Sequence, residues 1–71
     1  MPKQTFVPGD AALRRQAYGE YAKATVCFEL GVTGEAVTRA REALRLYAAL
    51  RCPNEEDQLV RRELEKLIKR Q

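Results

Sequence analysis

The residues whose types could do chemistry are few: two cysteines, a scatter of glutamates and two groups of cationic side chains. Cys27 and Cys52 are too few to complete a four-ligand zinc site, and the chain has no histidine to supply the missing ligands. The same absence removes Ser-His-Asp and Cys-His nucleophile arrangements, which need an imidazole as general base. Glu20, Glu29 and Glu42 are conceivable paired carboxylates for acid–base work, but no neighbouring residue type would position a substrate beside them. They read as solvent-facing helix glutamates. Cys52 stands before Pro53 at an expected helix end, with no activating group identifiable beside it. No catalytic residue, cofactor or metal site is expected.

The cationic groups carry a different chemistry. Arg41 and Arg45 stand one helical turn apart and repel each other unless an acidic partner or solvent separates them. Residues 1–57 hold eight basic and eight acidic side chains, so the net charge of +3 resides entirely in the last fourteen residues. There Arg61, Arg62, Lys66, Lys69 and Arg70 form a candidate nucleic-acid surface, a contact to phosphates that would weaken steeply with salt. No aromatic side chain interleaves with them, and Asp57–Arg61 and Glu65–Lys69 are spaced for ordinary (i, i+4) helix pairs.

The elements that must position these groups are helices. Residues 1–9 contain Pro2, Pro8 and Gly9 and read as an extended arm. Asp10 is a suitable N-cap and Gly31 a suitable terminator, which predicts a first helix over 10–31. A four-residue turn then leads to a second helix over 35–51, and the Cys52-Pro53-Asn54 break leads to a third over 54–70. The short turn makes the first two an antiparallel helical hairpin. The expected class is all-α: this hairpin followed by an amphipathic C-terminal helix, with no strand.

Placing residues at 100° intervals shows the faces to be covered. Leu13, Ala17, Tyr21, Ala24 and Phe28 share one side of the first helix, and Tyr18, Ala22 and Val26 share another. The second helix carries a broad apolar arc from Ala36 to Leu50, with Leu46 at its edge. The third offers one narrow arc of Val60, Leu64, Leu67 and Ile68, enough to cover one face of the first helix. In the hairpin Cys27 and Cys52 lie roughly 20 Å apart, which excludes a bridge between them.

The supply of core is small. At 71 residues and 8.1 kDa the chain is one domain, its Leu, Ile, Val and Phe number 16, and ten alanines supply much of the other apolar content. A domain this short buries only about 60% of its unfolded surface, so association of two copies is expected to shelter the excess. Tyr18, Ala22, Val26, Leu46 and Leu50 are the expected interface residues, with Arg41 and Arg45 at its rim. The longest charge-free runs fall far short of the ~20 residues that cross a bilayer, and no apolar secretory segment stands at the start. A cytoplasmic setting with reduced thiols is the expectation.

The stretch from Phe28 to Leu46 resembles part of one tetratricopeptide repeat. Gly31, Ala36 and Ala43 stand where that family closes its first helix and places small residues in its second, and Leu44 follows as the family has it. Ala40, Glu20, Lys23 and Ala48 depart from the pattern. The resemblance implies a helical hairpin that binds proteins or peptides. Together these readings predict a non-catalytic protein–protein interaction module, an adaptor, chaperone-like binder or inhibitor that docks on a larger protein as a homodimer. The alternative is a small basic DNA- or RNA-binding regulator that uses the C-terminal helix.

Overall fold

A computed structural model describes residues 8–70. It is all-α: three helices, α1 (Pro8–Leu30), α2 (Thr33–Ala48) and α3 (Glu55–Lys69), with no strand among the described residues. Most of the expected arm lies outside the described residues. Its last two positions, Pro8 and Gly9, already belong to α1, in keeping with the tolerance of proline for a first helical turn.

The expected four-residue turn between the first two helices contracts to Gly31 and Val32. Gly31 takes the left-handed conformation with φ of 81°, which a residue without Cβ adopts freely. Its N–H donates to the Phe28 carbonyl at 3.2 Å, and the Val32 N–H donates to the Cys27 carbonyl at 2.9 Å. These two bonds make a Schellman closure that satisfies the last carbonyls of α1 and lets α2 begin at once with Thr33.

At its other end α2 stops at Ala48, three residues before the sequence expectation. Pro53 disfavours helical geometry at Cys52, and the N–H groups of Arg51 and Cys52 are taken by the Asp10 carboxylate at 3.0 and 2.8 Å. Asp10 is therefore no N-cap of its own helix. It lies inside α1, 4% exposed, and ties down the α2–α3 connection. The third helix opens as its sequence suggests. Asn54 accepts from the Asp57 N–H at 2.7 Å, and Asp57 accepts from the Asn54 N–H at 2.9 Å, a reciprocal capping box.

The core is a seam of small residues. Ala17 and Ala24 of α1 and Ala36, Ala40 and Ala43 of α2 are wholly buried, which permits close approach of the two helices. Leu13, Tyr21 and Phe28 pack around it half-buried. Among the described residues, only Tyr47 and Leu64 are large side chains fully inside. The third helix packs chiefly on α2 rather than on α1, which corrects the expectation that it covers a face of the first helix. Leu64 enters the same cluster as Leu46, Tyr47 and Leu50, with Val60 and Ile68 packed against it.

Candidate interaction surface

With α3 laid on α2, the outer side of α1 is left open. Tyr18 is 57% exposed, Val26 51% and Leu30 73%, and Ala22 between them is exposed as well. The three α1 residues expected at an interface are thus together on one accessible side. Leu46 and Leu50, expected beside them, are not: each is 7% exposed and belongs to the core cluster. The reason is the position of α3, whose Leu64 closes over that side of α2. Leu46 and Leu50 therefore drop from the surface of a single chain.

Arg41 and Arg45 are exposed on α2. Arg45 is turned onto Glu42, one bond being Nε to Oε1 at 3.1 Å. That contact holds the Glu42 carboxyl below the usual carboxylate range. The two hollows lined by Tyr18 and by Ala22 and Val26 contain neither arginine. Of the C-terminal cations, Arg61 is half-buried, while Arg62, Lys66, Lys69 and Arg70 are exposed. Lys66 approaches Glu63 at 4.0 Å. Asp57 does not pair with Arg61 as the spacing suggested, because it faces the other way, into α1.

That inward contact joins α3 to α1 through several hydrogen bonds. The Arg14 guanidinium donates through Nε to both Asp57 oxygens at 2.9 and 3.0 Å and through Nη2 to Oδ2 at 2.9 Å. Burial pushes the Asp57 carboxyl up, but Arg14 and the Asn54 N–H outweigh it and hold the group below its ordinary value. Asp10 is likewise held low by its bonds to the Arg51 and Cys52 backbone. Sequence reasoning missed both acids as buried anchors. The one signal available was the Asn-x-x-Asp spacing of a capping box, which places Asp57 in the first turn but says nothing of Arg14. A second link joins α1 and α2: Arg39 reaches Glu20 at 3.1 Å and Glu35 at 3.5 Å.

Above the Arg14–Asp57 pair lies a cleft of about 580 Å³ between α1, α2 and α3, walled by Tyr18, Tyr21, Tyr47 and Val60. The Tyr18 and Tyr21 rings stand 5.6 Å apart at 59°, a tilted aromatic contact. Burial pushes the Tyr47 phenol up to about 12, with the Asp57 charge adding to it. Both cysteines are free and half-buried. Among the described residues no three or more Cys, Asp or Glu side chains converge as metal ligands, and no helix is long and apolar enough to cross a membrane. No family model, curated protein or solved structure matches the chain significantly.

Proposed function

We propose that this chain is a small non-catalytic protein–protein interaction module that works as a homodimer, built on an antiparallel hairpin of α1 and α2. The observation that carries the reading is the open side of α1, where Tyr18, Ala22 and Val26 lie exposed while, among the described residues, the core contains only two large, fully buried side chains. A domain with so little interior gains from hiding further apolar surface against a second copy, and a two-fold contact uses each patch twice. The hairpin is supported by the bonds of Asp10 to the segment after α2 and by the Glu20–Arg39 pair nearer the turn.

The non-catalytic part is supported by how the two buried acids are used. Asp10 and Asp57 are committed to backbone N–H groups and to Arg14, and the chain has no histidine to act as base. The role that fits is an adaptor, chaperone-like binder or inhibitor.

Sedimentation equilibrium over a range of concentrations tests the reading. The expected result is a mass rising from 8.1 kDa towards twice that value, with a melting temperature that climbs alongside, because dimerisation stabilises the fold by mass action. A single 8.1 kDa species with a concentration-independent melting temperature overturns it.

A further inference from the structure

Resting on the homodimer reading, we infer that the two copies meet along α1 in antiparallel orientation, on a two-fold axis at Ala22. Arg15, Ala22 and Glu29 recur at intervals of seven residues, which places them within about 20° of one line along the helix. All three are exposed. That line lies away from Ala17, Ala24 and Phe28, which face α2 and the core.

The pattern about Ala22 is apolar four residues to either side and opposite in charge seven residues to either side. Tyr18 lies four residues before Ala22 and Val26 four residues after it, so in an antiparallel pair the Tyr18 ring of each copy covers Val26 of the other. Arg15 lies seven before and Glu29 seven after, so each arginine meets a carboxylate of the opposite copy. A parallel pair would instead set Arg15 against Arg15 and Glu29 against Glu29. Neither Arg15 nor Glu29 has an ion-pair or hydrogen-bond partner among the described residues, whereas Glu20, Glu35, Arg39, Glu42 and Arg45 all do.

Two small residues suit the axis. Ala22 admits close approach of the helices, and a Cβ built on Gly19, one turn earlier, meets nothing within 4 Å of its own chain. The seam from Arg15 to Glu29 is about 21 Å long. An interface of that length is small, so association is expected at micromolar or weaker dissociation constants.

Charge reversal tests the orientation at low ionic strength in reducing buffer, where Arg15→Glu, Glu29→Arg and the double variant are compared by sedimentation equilibrium over about 10 µM to 1 mM. Both positions are exposed, and circular dichroism checks that each variant keeps its helices. Each single reversal creates two like-charge contacts and is expected to weaken the dimer about fivefold. The double reversal restores opposite pairing and the wild-type constant. As a second measurement, Ala22→Cys in a Cys27→Ser, Cys52→Ser background is expected to form a symmetric intermolecular disulfide on oxidation. A wild-type dimer whose single and double reversals show no rescue, or whose Ala22→Cys chains do not cross-link, overturns this seam and leaves the homodimer reading standing. A chain that is monomeric throughout overturns both.

Discussion

Arg14 of α1 grips Asp57 of α3 through two nitrogens, and the same Asp57 carboxylate accepts the Asn54 N–H that opens its own helix. One buried side chain, 3% exposed, thus caps α3 and fastens it to α1, although α3 rests mainly on α2. One turn before Arg14, Asp10 holds the backbone of Arg51 and Cys52. The α2–α3 connection is therefore clamped at one end of α1, by Asp10 on its backbone and by Arg14 on Asp57.

Replacing Asp57 removes a helix cap and a charge-assisted pair together. Asp57→Ala is expected to destabilise the fold by about 3 kcal/mol, the cap accounting for about 1 and the bonds to the charged partner for the rest. Arg14 is one-third exposed and turns to water once its partner is lost, which keeps the loss below that of a fully buried pair. Urea denaturation of Asp57→Ala, Arg14→Gln and the double variant measures it, and the two single losses are expected not to add.

Acid titration follows from the same two carboxylates. Both Asp10 and Asp57 are held below their ordinary values, so the unfolded chain takes up their protons first as pH falls. Their contribution is complete above about pH 4, the unfolded carboxylate value, and is lost on descending through the lowered native values. Melting temperature against pH should fall steeply below about pH 4 in the wild type. In Asp57→Asn the fall should be shallower.

Tyr47 makes the opposite prediction at the alkaline end. Its phenol is pushed up to about 12 by burial, so the fold favours the neutral form. That contribution is complete below about pH 10, the unfolded tyrosine value, and is lost as pH rises towards 12. Ultraviolet titration of the phenolates should show one component near 12 that Tyr47→Phe removes.

The glycines divide by conformation. Gly31 has φ of 81° and closes α1, so Gly31→Ala should cost about 1 kcal/mol of strain. Gly19 sits inside α1 with open space around a built Cβ, so Gly19→Ala should stabilise the monomer by about 0.5–1 kcal/mol. Thermal melts at low protein concentration distinguish the two signs.

The local signals in the chain were sufficient for the three helices. Gly31 and Pro53 interrupt the helical periodicity through backbone restrictions that hold in any context, and Asn54 and Asp57 form a capping box from spacing alone. The narrow stripe of α3 was equally legible, because Val60, Leu64, Leu67 and Ile68 are its only apolar residues on one side. The grouping of Tyr18, Ala22 and Val26 on one side of α1 was legible from the same periodicity, but not that this side stays open.

Tertiary packing decided which neighbour covered which stripe. An amphipathic α3 satisfies its stripe against either helix, and its choice of α2 buried Leu46 and Leu50, although periodicity alone leaves Leu46 at an edge. It also decided the fate of the acids. An aspartate in a helix's first turn carries the same local signature whether it faces water or an arginine 43 residues away. Only the folded chain, by bringing Arg14 to Asp57 and Asp10 to the Arg51–Cys52 backbone, turned two ordinary helix-start residues into the anchors of the domain.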